Sequence, residues 1–497
     1  MDPPTSSASV HASDYIIFVS LTALSLGTGL YMSVRKRHAP RSRDEAFLGN
    51  RSIRVLPLAL SMLASSITAA GIIAFVAHYY SHGFHTLWAI PVFVPVGLIV
   101  TYLYLPVLYE LKVTSIFEYL RMRYGKSVGL ASSLIYFVLS QTLGAVTIYA
   151  AAVAMTTMLQ VPLTISCVIV GIAGTTYTAL GGLRSVVWAD CVQAVIMTVS
   201  PLVIIGKIIY DSTTSVEPPR SLNDLNITAY FLRTDMDLTT DETVWAASLA
   251  AFPFQLTRIG LDQMITQRFL AARSLPEART VAFFGVFLVS LFYAIIGLTA
   301  LAIIYWFRDC DPVLSGAMSR YDQMVPYYIS QSAGAAWGIR GLFLAGVVSA
   351  SISTVSSVVN SNAAVLYIDV LSPNFRIPEN KSALVIVALA AGSGTIMTLS
   401  GLLLPYVSSA AKASITGSES YLFLNCYLSI NDQSLGSTSI IVNLERRPSS
   451  NHSSSHRGQA PTPVWALWCA PYLHRIVEEG LRRVDSPTSY HMACAKK

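Results

Sequence analysis

The side chains with the most chemistry to offer are hydroxyls, and they are concentrated where hydroxyls are unusual. The stretch Gly341–Asp369, GLFLAGVVSASISTVSSVVNSNAAVLYID, is long and apolar enough to cross a bilayer, for which about 20 residues suffice. Gly346, Ala350, Ser353, Thr354, Ser357 and Ser361 recur along it at the spacing of one helical face. Leu344, Val348, Ile352, Val355 and Val359 fall on the opposite side. Two readings compete. Small residues let helices approach closely in lipid, and Ser and Thr hydroxyls bond back to the preceding turn. Alternatively, the hydroxyls of Ser353 and Thr354, with the Ala350 carbonyl one turn back, make half of an oxygen cage for an alkali cation. The stripe alone does not choose between them.

The other half of such a cage needs freed backbone oxygen. Segment 55–80 carries Ala64-Ser65-Ser66-Ile67-Thr68-Ala69-Ala70-Gly71 at its middle, crowded with small and hydroxyl residues. A break there would release carbonyls, which a membrane tolerates only where the backbone lines a cavity. An intact helix with a close-packed face is the alternative.

Charges within the apolar segments are few. Asp190 lies in Ser185–Gln193, near a helix end, where an interfacial or outer-shell role competes with direct ion contact. Arg258 and Asp262 are four residues apart and can pair with each other. Alternatively, Arg258 meets an anionic substrate. Each such charge costs roughly 2.5–3.5 kcal/mol at mid-membrane on insertion scales, so each should face protein or water.

The elements that must position these residues are membrane helices. With 53% hydrophobic and 12% charged residues, against roughly 25% charged in a soluble domain, the chain is a polytopic membrane protein. Apolar segments fall at about 14–34, 55–80, 84–109, 128–158, 162–181, 185–209, 243–265, 280–307, 341–369 and 382–406. The loop Arg35–Arg54 holds seven basic residues and reads as cytoplasmic, which leaves the N-terminus (1–13) extracellular. Alternation then places the basic stretches 110–127, Arg184, 266–279 (with Arg268) and 370–381 on the same side. The acidic 210–242, with the glycosylation sequon at Asn226, faces outward. Six scattered cysteines show no zinc-site spacing, and no long basic run suits nucleic acid.

Tyr177-Thr178-Ala179-Leu180-Gly181-Gly182-Leu183-Arg184-Ser185, then Val187-Trp188-Ala189-Asp190 and Gln193, resembles the signature of the sodium/solute symporter family. So does Gln267-Arg268-Phe269-Leu270-Ala271-Ala272-Arg273. Asp309-Cys310-Asp311-Pro312, with Asp322-Gln323 and Pro326, resembles the branch of sodium-coupled monocarboxylate, multivitamin and iodide transporters. The similarity covers about residues 14–406. It implies an all-α, LeuT-like inverted-repeat (5+5) bundle with one extra N-terminal helix and an incomplete second repeat. It also implies a sodium site on Ala64, Ser65, Ile67, Ala350, Ser353 and Thr354, with Asp190 and Gln193 close by. The coupling ion is sodium and no organic cofactor is expected.

The expected substrate is a small organic anion, with Arg258, Gln141 and Trp245 as candidate contacts. Sugar carriers of the family bear an acidic residue on the second core helix, and His82–Tyr109 contains none. Arg258 and Asp262 stand where the family usually has uncharged residues, and Gly71 stands where iodide carriers bear glutamine. The expected activity is sodium-coupled import across the plasma membrane, not an enzymatic reaction. After Tyr406 the resemblance stops, and 407–497, rich in Ser, Pro and Arg, reads as a divergent, poorly ordered tail. A transport-inactive chain that associates with full-length symporters is the competing expectation.

Overall fold

The computed structural model describes residues 11–35, 42–214, 231–236, 243–318, 321–332 and 338–406; Asn226 and the tail 407–497 lie outside them. In chain order come α1 (Ala12–Arg35), α2 (Arg43–Leu48), α3 (Val55–Ser66) and α4 (Ala69–His82). α5 (His85–Glu110), α6 (Ile116–Tyr124), α7 (Lys126–Leu159) and α8 (Leu163–Thr214) follow. The later half holds α9 (Val244–Leu256), α10 (Gln263–Leu270), α11 (Leu275–Phe307), α12 (Met324–Ser332), α13 (Ile339–Leu371) and α14 (Glu379–Leu403). Among the described residues the β structure is one isolated bridge, Ile53 to Ala272.

Seven helices among the described residues are long and apolar enough to cross a membrane, and α3 with α4, bent by 61°, pass the same test together. A straight helix of the 52 residues of α8 would be about 78 Å long at 1.5 Å per residue, more than twice a hydrocarbon core, so α8 must be two spans. They join at Gly182, whose φ of 63° suits glycine and whose Cβ would lie 2.6 Å from the Ala46 carbonyl oxygen. The expected span 243–265 is instead the broken pair α9 and α10. A π turn, Thr257–Leu261, and an extended Asp262 (ψ 124°) separate its two halves.

The basic loops gather on one face. Arg184 donates to the Gly49 carbonyl at 3.1 Å, Arg273 to that of Ser52 at 3.2 Å, and Tyr109 to that of Ala272 at 3.1 Å. The start of α3 and the end of α10 therefore lie together, as alternation from Arg35 requires. The breaks thus fall in two spans that run in opposite directions.

Both breaks follow from local chemistry. Ile67 and Thr68 are β-branched, and the Ser66 hydroxyl already bonds back to the Met62 carbonyl at 2.7 Å. Their backbone is extended, and the Thr68 side chain caps α4 by accepting from the Gly71 amide at 3.0 Å. At the second break the Asp262 carboxylate caps α10 through the Met264 amide at 2.9 Å.

α13 runs through the middle of the bundle. Every residue from Arg340 to Val365 except Leu342 is buried, so its apolar side packs on protein as its polar side does. Gly346 brings it against the second half of α8, where a Cβ would lie 2.7 Å from the Ser200 side chain. At its N-terminal end the Gly341 amide donates to the buried Asp14 carboxylate of α1 at 3.3 Å, so the extra N-terminal helix holds the start of the hydroxyl helix.

Candidate cation site and its charged surroundings

The α3/α4 break and α13 meet through oxygen. Ser353 Oγ lies 2.9 Å from the Ala64 carbonyl oxygen and 3.0 Å from that of Ala350. Thr354 Oγ1 lies 2.9 Å from the Ala350 oxygen and 3.4 Å from that of Ile67. All five residues are buried. Two hydroxyl hydrogens thus face three carbonyl oxygens. Five neutral oxygens converge with fewer protons than lone pairs, a donor set that suits a hard monovalent cation and adds no charge of its own.

Ser65 does not present its side chain to that cluster. Its hydroxyl lies 2.8 Å from Ser357 Oγ and 2.5 Å from Arg268 Nη2, and its carbonyl accepts from Arg258 Nη2 at 3.1 Å. It borders the cage through its backbone, as the residue next to Ala64.

Asp190 and Arg268 form an ion pair sealed inside the bundle, with side chains 0% and 1% exposed and 3.0 Å between them. Arg268 also donates to Ser61 Oγ at 2.7 Å, Ser357 Oγ at 2.7 Å and the Met264 carbonyl. Ser61 in turn donates to Asp190 at 2.5 Å. This single guanidinium ties α3, the second half of α8, α10 and α13 together. Arg268, expected in a basic loop, instead lies in the last turn of a half-helix whose eight residues are all buried. The available signal was Asp190. A buried carboxylate needs a cation, and none lies within one turn of it in sequence. Gln193 is also fully buried, and neither its amide oxygen nor its amide nitrogen has a hydrogen-bond partner among the described residues.

A second ion pair sits where the two breaks meet. Arg258 Nη1 pairs with Asp262 Oδ2, and the side chains are 14% and 12% exposed. Asp262 Oδ1 accepts from the Tyr136 hydroxyl at 3.2 Å, and that hydroxyl also lies 3.1 Å from Ser361 Oγ. The other two substrate candidates are elsewhere. Gln141 faces α14, where it donates to Ser393 Oγ at 2.6 Å. Trp245 is 42% exposed and donates to the Thr234 carbonyl at 3.1 Å; it stands thirteen residues before Arg258, about 20 Å along the helix axis. Arg258, Gln141 and Trp245 are therefore not gathered into one site.

A bundle with two oppositely directed broken spans, flanking a buried hydroxyl helix, defines the class: a polytopic membrane protein of the LeuT-like inverted-repeat fold. The chain belongs to the sodium:solute symporter family, whose sequence model matches residues 46–413. It is 31% identical over 417 residues to sodium-coupled monocarboxylate transporter 2 of Bos taurus, covering 81% of this chain and 64% of that one. It is 30% identical to the sodium/iodide cotransporter of Homo sapiens (78% and 61% covered). A putative sodium-dependent multivitamin transporter of Drosophila melanogaster is likewise 30% identical (74% and 60%). The chain thus spans about three fifths of the length of these relatives. Its fold matches a substrate-bound, outward-open structure of a Na+-coupled sialic acid symporter with a TM-score of 0.73 at 19% identity, over 82% of this chain and 85% of that one.

Proposed function

We propose that this chain is a sodium-coupled secondary active symporter that imports a small organic anion, a monocarboxylate or vitamin-like carboxylate, by alternating access. The observation that carries the reading is the five-oxygen cluster joining the α3/α4 break to α13. Sodium there draws the freed carbonyls of Ala64 and Ile67 and the hydroxyls of Ser353 and Thr354 onto one ion, favouring the conformation in which they already converge. Ser65, Asp190 and Gln193 act around this site rather than on the ion, and Arg258 is the cation available to a substrate anion. A ligand shifts a conformational equilibrium only by its differential affinity, and an ion shared between two elements has such a difference by construction. Each sodium entering a cell contributes about 2.3 kcal/mol per 100 mV of membrane potential, besides its concentration gradient. No covalent step is required. The membrane is the plasma membrane, with the N-terminus and Asn226 outside. The names of the monocarboxylate and multivitamin relatives support an organic anion, and that of the iodide relative keeps an inorganic one in the test.

The test is uptake of labelled lactate, nicotinate, biotin and iodide into cells expressing the chain, in sodium and in choline. Sodium-dependent accumulation of one of the organic anions is expected. Uptake that is equal in choline removes the coupling; accumulation of iodide alone replaces the substrate class. The divergent composition after Tyr406 supports a second reading, a transport-inactive associate of longer symporters. Accumulation by this chain expressed alone removes that one.

A further inference from the structure

We infer that Asp262 is an internal carboxylate that holds the place of the substrate's carboxylate on Arg258, and that it restricts the carrier to monoanions. The inference rests on the symporter reading above and deepens it. Of the two ion pairs that border the cation site, Asp190 with Arg268 is sealed, while Arg258 with Asp262 keeps 14% and 12% exposure. An entering anion can therefore reach the second guanidinium and not the first.

The work of Asp262 is divided between its two oxygens. Oδ1 caps α10 through the Met264 amide at 2.9 Å and accepts from Tyr136 at 3.2 Å, while Oδ2 faces Arg258 Nη1. Releasing the guanidinium leaves the cap in place. A substrate carboxylate can thus exchange with Oδ2 without unravelling the half-helix behind it. Asp262 stays charged beside the exchanged anion, so a second negative charge on the substrate meets repulsion, and dicarboxylates are rejected.

The same guanidinium is joined to the cation site. Arg258 Nη2 donates to the Ser65 carbonyl at 3.1 Å, and the neighbouring Ala64 carbonyl lies 2.9 Å from Ser353 Oγ. With Asp262 ionised, the pair is neutral toward the cage. A bound monoanion makes the locality negative by one charge and strengthens sodium binding, and sodium strengthens anion binding equally.

The deciding variant is Asp262→Asn. Asparagine caps a helix as well as aspartate does, so α10 keeps its start. The substitution removes the negative charge that offsets Arg258, and the two ligands must respond in opposite directions. The half-saturating concentration of a transported monocarboxylate, lactate or nicotinate, should fall by about tenfold, the scale of a charge-assisted contact. The half-saturating sodium concentration should rise several-fold, and succinate should become a substrate. Weakening of both ligands together, as loss of a merely structural ion pair gives, overturns the inference; so does an unchanged profile. Asp262→Ser, which also keeps a capping oxygen, serves if the asparagine variant does not reach the membrane.

Failure of the underlying reading looks different. There, the wild-type chain shows no sodium-dependent uptake of any organic anion. The inference is then read on the purified chain, from the rise in unfolding temperature produced by lactate and by nicotinate. A larger rise for Asp262→Asn than for wild type supports it, and an equal or smaller rise overturns it.

Discussion

Replacing Ser353 and Thr354 together by alanine separates the two explanations of the α13 stripe. Alanine is smaller than either residue, so close packing of the helix survives the change. The oxygen cluster does not. Three of five oxygens remain, all carbonyls, and the hydroxyl contacts to Ala64, Ile67 and Ala350 are lost. A polar contact to a charged partner is worth about 1.5–3 kcal/mol, and about 1.4 kcal/mol is tenfold in affinity. Each single variant should therefore raise the half-saturating sodium concentration by roughly 10- to 100-fold. Ser353→Ala should be the more severe, because its hydroxyl reaches the α3 carbonyl at 2.9 Å against 3.4 Å for Thr354. The assay is the initial rate of uptake against sodium concentration in membrane vesicles at fixed potential, normalised to the amount of protein present. The sodium-dependent rise in unfolding temperature of the purified chain gives the same ranking without transport. A double variant whose sodium curve matches wild type by both measures refutes the cage and leaves packing as the explanation.

Three further outcomes follow. Arg268→Met strands the Asp190 carboxylate in a fully buried site and should cost about 3–5 kcal/mol, read as a fall in unfolding temperature; Asp190→Asn placed on top should recover part of the loss. Gly182→Ala puts a Cβ 2.6 Å from the Ala46 oxygen at a positive φ, so the chain should fail to accumulate in the membrane, which immunoblotting of membrane fractions reports. If the acidic segment faces outward, endoglycosidase should shift the wild-type band on a gel and leave Asn226→Gln unshifted; a wild-type band that does not shift removes the support for that orientation.

Periodicity and composition carried most of the fold. The apolar runs became helices of the described residues, and the basic loops came together on one face through Arg184 and Arg273. The hydroxyl pair at 353 and 354 was visible because two polar residues inside an apolar helix need a reason. The break at Ile67–Thr68 stayed open in sequence because small hydroxyl residues serve a close-packed helix equally well. The second break was hidden for a different reason. Arg258 and Asp262, four apart, read as an ordinary helical pair, and only the backbone shows Asp262 leaving the helix to cap the next one. Arg268 was misplaced because a basic residue near a span's end is far more often in water. The contact that buries it comes from Asp190, 78 residues earlier in the chain, and no local pattern reports a distance of that kind. Gln141 and Trp245 show the opposite error, polar and aromatic side chains whose partners proved to be Ser393 and a loop carbonyl.

The placement of charge around the cage bears on how a carrier lets go of its ion. A carboxylate among the five oxygens would hold sodium more tightly, and it would have to be carried, or neutralised, through every return of the empty protein. Here the nearby carboxylate, Asp190, is cancelled by Arg268, and Asp262 is cancelled by Arg258. On the symport reading, two opposite pairs leave the region with no net charge, so the cage would bind its ion through dipoles alone and release it readily. On the symport reading, the two charges that then enter, a cation at the oxygens and an anion at Arg258, also sum to zero. Each makes the other's desolvation cheaper in a medium where a lone charge is expensive. Coupling of this kind needs no moving relay between the sites. It needs only that both charges be close, and the Ser65 carbonyl, held by Arg258 and one residue from Ala64, fixes that closeness.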